Sequence, residues 1–465
     1  MVDCGYPPGL TRTLDPMPPW AYVHAGLYPR KERESCLVSP EPVDQLPLQN
    51  SGAPPRRESP SALNAFSWEA LPLFVAFFLW GLGVGAQNLA RPLFAASFGV
   101  PVFLVTLIIA GNAMAHLISD PITGILTDRW GRKPLVIGGN IIRGFSMLFQ
   151  FFSRNYYEFF ILEFIGGIGG AMFVTGSAII MADATLPQNR GRAMAVRSTA
   201  MRTGMIIGPA LGGVISILIG LRAIFLFNAA TKVAVHFLLV YLVRETNPEA
   251  TRKSRQAAGS PSNLDLSMFL RKPVLVIALV TFGISAMTTG AFGALFPVHA
   301  EENLGLSAGD IGNMLSLAAI IGLIVAFPNG LLMDRFGRKG FLVVGLLILS
   351  ASAYLLSQIS TFQTVIIAVM VFGWGQGVGM GGSEVVAIDL APEDRRGAFL
   401  GIWNLFRNVG GIIGPLLVGL IAQIYGFQTA FLSTGAFLII CAVMMGAFGQ
   451  ETGGSWRPGT RTNGT

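Results

Sequence analysis

Eight ionisable side chains lie inside long apolar runs of the chain: Arg143, Arg197, Arg202, Lys232 and Arg407 as bases, and Asp120, Glu163 and Glu384 as acids. A charge surrounded by hydrocarbon is costly, so each is first read as a functional candidate. Bases at such depth can hold an anionic or dipolar ligand, and acids can hold a cation or carry a proton. The rival reading is an internal ion pair. At 1.5 Å per residue, Arg143 stands about 14 Å from the start of its apolar run. Arg202, Lys232 and Arg407 lie at similar depth, Arg197 is shallower, and Asp120 and His116 lie near one end of the second run. Glu384 is the first choice for a proton carrier, with Glu163 second.

A second constellation is the string Gly124-Ile-Leu-Thr-Asp-Arg-Trp-Gly-Arg-Lys133, which recurs as Gly330-Leu-Leu-Met-Asp-Arg-Phe-Gly-Arg-Lys339. Gly124 lies four residues before Asp128, one helical turn away on the same face. A glycine there lets another helix come close and brings the carboxylate to its end. A basic anchor at a membrane surface would need Lys and Arg, but neither a fixed Asp nor two glycines.

Other chemistries find no support. There is no Walker loop. The histidines His24, His116, His236 and His299 form no metal motif, and Cys4, Cys36 and Cys441 imply no disulfide framework. No enzyme activity, metal or cofactor is expected.

The elements that position these residues follow from a repeat. The two strings are 206 residues apart, and the same offset pairs Gly139 with Gly345, Asp183 with Asp389, and Arg190-Gly191 with Arg396-Gly397. It also pairs Gly204 with Gly410, Gly208-Pro209 with Gly414-Pro415, Gly220 with Gly426 and Phe225 with Phe431. Two copies of one unit in an apolar chain mark membrane carriers built from two repeats. The chain is 52% hydrophobic and 12% charged, against about 25% charged in soluble domains. Spans are predicted at 70–90, 101–120, 134–152, 157–181, 193–218 and 223–243, then at 273–295, 309–328, 340–357, 363–388, 398–423 and 427–448.

Basic residues crowd the connections after the even spans. The opposite connections hold only Arg91, Arg154 and Arg222. The positive-inside rule then puts both termini and both strings in the cytoplasm and accounts for the net charge of +7 without nucleic acid. Residues 1–66, rich in Pro and Ser, read as a disordered tail ahead of a six-helix half at 67–243. A basic linker at 244–272, a second half at 273–450 and a short tail at 451–465 complete the expected organisation.

Twelve spans in two parallel six-helix halves, with the ten-residue string after spans 2 and 8, resemble the major facilitator superfamily over residues 67–450. The resemblance implies an all-α membrane protein, a monomer in the plasma membrane, in which helices 5 and 11 line a cavity. This makes Arg202 and Arg407 the stronger substrate candidates. It also implies a gate in which Asp128 and Arg132, with Arg129 and Gly131 of the motif, meet Asp183 at the end of helix 4. The second-half counterparts are Gly330, Asp334, Arg335, Gly337, Arg338 and Asp389. Helix 5 carries Gly204-Met-Ile-Ile-Gly-Pro-Ala-Leu-Gly-Gly213, and Gly204, Gly208, Pro209, Gly212 and Gly213 resemble the signature of the family's proton-coupled drug exporters. There are two departures from that branch. Glu163-Phe-Ile-Gly-Gly-Ile-Gly169 has an acid where the branch has arginine, and the first span holds no acid. The leading expectation is a proton-coupled exporter of small hydrophobic or drug-like compounds. The alternatives are a carrier of an anionic metabolite and a non-transporting membrane sensor.

Overall fold

A computed structural model describes residues 71–184, 190–242, 272–391 and 396–452. The expected tail at 1–66 and nearly all of the 244–272 linker lie outside the described residues, as do the side chains of Asp128, Arg129 and Asp183. The first half runs α1 (Leu71–Ala96), α2 (Val102–Trp130), α3 (Arg132–Phe152), α4 (Tyr156–Ala184), α5 (Arg190–Leu218) and α6 (Ala223–Leu242). In the second, α7 is a continuous rod made of Lys272–Ser285, Ala286–Leu295 and Phe296–Leu304. It is followed by α8 (Ala308–Phe336), α9 (Arg338–Ser357) and α10 (Phe362–Leu390). The stretch Arg396–Phe448 is broken at Gly426, where φ 86 and ψ 165 leave the helical region, so it forms α11 (396–425) and α12 (427–448).

Ten helices among the described residues are long and apolar enough to cross a membrane. The 26 residues of α1 add an eleventh, about 39 Å long at the helical rise. The break at Gly426 divides the last of the ten in two, giving twelve.

The repeat is visible in the backbone. Among the described residues the glycines with positive φ are Gly99, Gly131, Gly220, Gly305, Gly337 and Gly426. They form three pairs, each separated by 206 residues. A Cβ is disfavoured at such φ values, so these glycines place the corners of both halves identically. Packing repeats as well: α1 lies on α5 as α7 lies on α11, α2 on α4 as α8 on α10, and α3 against α4 and α6 as α9 against α10 and α12.

One element breaks the symmetry. The middle of α7, Ala286–Leu295, is wound as a π-helix, whereas its counterpart α1 is regular. Phe296 N–H donates to the Ala291 carbonyl, five residues back, and Pro297 follows with no N–H to offer. Inside the wide turns Gly290 meets α11, where a Cβ would sit 3.0 Å from Gly414 C and Pro415 N.

The helices extend past the apolar stretches that predict them. The connection expected to hold Arg91 is instead the last turns of α1, and Arg91 is 7% exposed inside the helix. The reason is a tertiary partner described below, which hydropathy cannot register.

The halves meet through α2 on α11 and α8 on α5. Toward the far end, away from the motif loops, contact is backbone-close. A Cβ at Gly213 would sit 2.8 Å from the Gly309 Cα, and Ala210 N–H donates to Ser316 Oγ across the interface at 3.0 Å. Gly419 of α11 packs directly on Thr106 of α2, and Gly411 lies beside Ala113. Toward the motif loops the contact is lost. Gly124 and Gly330 both face open space, with no atom within 4 Å of where a Cβ would be. The close helix approach expected at Gly124 is therefore absent in this conformation, because the halves have parted at that end.

Candidate functional site

The parted halves expose a cavity of about 250 Å³ lined by α7, α10, α11 and Ala113 of α2. Thr288 and Thr289 from the π-wound part of α7, and Ser285 just before it, supply hydroxyls, and Trp403 and Ile284 supply apolar wall. Arg407 Nη1 donates to Glu384 Oε1 at 3.0 Å, and both side chains remain open to solvent at 42% and 48%. Two residues singled out from sequence thus meet here. Asp120 stands on the other half, where it accepts a hydrogen bond from Thr175 Oγ1 at 2.9 Å. Arg202 is exposed on α5 and does not line this cavity.

The first half has a different kind of charge cluster, sealed from solvent. Glu163 on α4 is 1% exposed. Gln87 of α1 and Gln150 of α3 donate to its Oε2 at 2.8 and 2.9 Å, and Asn112 of α2 donates to Oε1 at 2.8 Å. Arg91 Nε lies 2.8 Å from Oε1 as an ion pair rather than an aligned hydrogen bond. Arg143 Nη1 is 3.9 Å away, while its Nη2 donates to Gln87 Oε1 at 2.7 Å. Asn228 of α6 donates to the same Gln87 oxygen at 2.9 Å. Five helices are pinned through one carboxylate and one amide. The remaining buried bases are also occupied: Lys232 donates to the Trp80 carbonyl and lies over the Trp80 ring, and Arg197 donates to the Val174 carbonyl and Ser177 Oγ.

At the motif end, Arg338 pairs closely with Asp389 and lies 3.4 Å from Asp334. Arg335 is exposed, with its guanidinium over the Phe336 ring. Gly131 and Gly337, with φ of 87 and 99, turn the chain into α3 and α9. Arg132 opens α3 and is half-buried. On α5, Gly204, Gly208 and Gly212 face α1, and the Pro209 carbonyl faces Gly312 of α8. A Cβ at Gly208 would meet Ala86 N at 2.6 Å and Gly85 Cα at 2.7 Å.

Reasoning from charge alone missed several residues. Gln87, Asn112, Gln150 and Asn228 are uncharged but polar within apolar runs, and that was their signal. Glu451 accepts from the backbone N–H groups of Arg338 and Lys339, at 2.7 and 3.3 Å, capping α9. Its signal was also present: Glu451-Thr452 repeats Glu245-Thr246 at the same 206-residue offset.

Two repeated six-helix halves that close at one end and part at the other over a polar-lined cavity define a membrane transporter of small molecules, not an enzyme. The chain belongs to the Major Facilitator Superfamily, whose family model matches residues 73–302 and 278–463. It is 27% identical over 377 residues to Multidrug resistance protein 1 of Bacillus subtilis, covering 79% of this chain and 93% of that one. It is also 27% identical over 345 residues to Multidrug resistance protein MdtG of Escherichia coli, covering 70% and 79%. Among solved structures, the nucleoside transporter NupG aligns with TM-score 0.69 at 16% identity, over 82% of this chain and 100% of that one. An inward-facing, unoccupied bacterial homologue of the lysosomal transporter Spinster aligns with TM-score 0.68 at 15% identity, over 83% and 97%.

Proposed function

We propose that this transporter exports small hydrophobic or drug-like compounds in exchange for protons, across the plasma membrane and with both termini in the cytoplasm. The observation that carries the reading is the solvent-open Arg407–Glu384 pair in the wall of the cavity. A carboxylate that water can reach, beside hydroxyls and an aromatic wall, can exchange a proton and contact a ligand in the same space. Basic residues concentrate at the end toward which the halves part, so the open side is the cytoplasmic one. That is the state in which an exporter loads. The similarity to two proteins named for multidrug resistance supports the same substrate class.

The anionic-metabolite reading rested on an excess of intramembrane bases over acids, but Arg143 and Arg407 pair with Glu163 and Glu384, and Arg197 and Lys232 are held by backbone carbonyls and Ser177, so these four bases already have partners inside the protein. The test is counterflow in proteoliposomes against cationic, neutral and anionic compounds, with and without an imposed pH gradient. Uphill movement of hydrophobic compounds on the gradient is expected. Exchange confined to small anions, or indifferent to the gradient, overturns the reading.

A further inference from the structure

Arg407 occupies a particular place in the open molecule. Its partner Glu384 belongs to the same half, yet α11 itself forms the boundary with α2 of the other half. The crossing is antiparallel, since Gly419 meets Thr106 and Gly411 lies beside Ala113. Continued inward, this register brings Arg407 level with residues 117 and 118 of α2. Asp120 is then only about 4.5 Å farther along the axis at the helical rise, within reach of a long guanidinium side chain. The two helices are already diverging here, and by Gly124 the space beside α2 is empty. Among the described residues no ion pair holds Asp120, whose hydrogen bond comes from Thr175 of its own half. Across the gap the guanidinium of Arg407 lies within electrostatic reach of its carboxyl.

We propose that Arg407 uses two carboxylate partners in turn: Glu384 of its own half while the motif end is open, and Asp120 of the other half when that end closes. The fork of donors on a guanidinium suits such a transfer, since it can engage the second carboxylate before leaving the first. Half-exposed pairs of this kind are weak, so neither partner traps the molecule. Asp120 is thus a positioning residue for closure, two helical turns deeper than Asp128 of the motif. The inference rests on the transporter fold and does not require that the cargo be a drug or that a proton be exchanged.

The test reads conformation without substrate. In full-length protein with Cys4, Cys36 and Cys441 replaced by alanine, spin labels are placed by Gly191→Cys and Gly340→Cys, at exposed positions with open space in opposite halves. Distances between them are measured in lipid nanodiscs. Removing the first partner by Glu384→Gln should raise the population with the short, closed distance about fivefold or more. Adding Asp120→Asn should abolish that rise, whereas adding Asp120→Glu, which keeps the charge, should preserve it. A rise that survives Asp120→Asn, or that is lost equally with Asp120→Glu, overturns the proposal, as does no rise with Glu384→Gln alone. If the distances shift as expected yet the unmodified protein exports nothing on a pH gradient, this inference stands and the exporter reading falls.

Discussion

The two halves share a backbone plan but use their charges in opposite ways. In the first half Glu163 is buried and held by donors from α1, α2 and α3, and α6 joins through Asn228. In the second half Glu384 is open to solvent and has Arg407 as its charged partner. A buried carboxylate with this many donors is a pin: taking one partner away strands the others in low dielectric. A half-exposed pair contributes little to stability and can be broken and remade. The difference assigns rigidity to one half and adjustable chemistry to the other, although the fold treats them as copies. Glu163 is sealed from solvent in this conformation, whereas Glu384 is not.

The same contrast runs through α1 and α7. Each lies against a glycine-bearing helix, α5 and α11, but α1 is regular and α7 is π-wound where Thr288 and Thr289 face the cavity. A π-helical stretch inside an α-helix often marks a functional site, because its weaker hydrogen-bond ladder re-aims side chains. Among the described residues it is found only in the half that carries the solvent-open pair.

The largest effect is expected from Gly208→Leu, which forces α5 off α1 in the rigid half. The added side chain has backbone atoms of Gly85 and Ala86 in its path, and overpacking of this kind costs about 3 kcal/mol or more. Loss of transport with a fall in thermal stability in detergent is expected, and unchanged transport would show that the seam yields. Next, Glu163→Gln leaves Arg91 and Arg143 short of a counter-charge and should lower stability by roughly 3–5 kcal/mol. Glu384→Gln should cost only ~0–1 kcal/mol. Equal losses in thermal unfolding would erase the distinction between the halves. Asp128→Asn should slow transport about tenfold or more, equivalent to about 1.4 kcal/mol on the barrier, while leaving the melting temperature in place. Exchange at the parent rate would remove the first motif loop from the cycle. A small effect is also expected from Ser316→Ala, which loses one hydrogen bond between the halves at their closed end. A stability change of about 1 kcal/mol is expected, with the spin-label distances shifting toward the form open at the far end.

Much of the fold was legible in the sequence because it rests on short-range chemistry. The offset that pairs Gly131 with Gly337 and Gly220 with Gly426 is the offset of the positive-φ corners. Apolar runs located the helices because a span must satisfy its own backbone. Helix ends were less legible: Arg91 reads as a loop residue until Glu163, 72 positions away, is seen beside it. The pairing of Arg407 with Glu384 was open as one of several possibilities, since depth along a helix says nothing of which face meets which. The π-turns of α7 have no sequence periodicity of their own, and Pro297 is their nearest visible correlate. The absence of packing at Gly124 is a property of the conformation rather than of the motif.

The most direct measurement compares two modes of transport in proteoliposomes for Glu384→Gln. Export driven by an imposed pH gradient and downhill counterflow of the same hydrophobic compound are recorded side by side, with the unmodified protein as reference. If Glu384 is the proton-exchanging group of the adjustable half, gradient-driven accumulation is lost while counterflow persists within about threefold of the reference, a change of less than 1 kcal/mol in the barrier. Full gradient-driven accumulation in Glu384→Gln would contradict the account and move coupling away from this cavity.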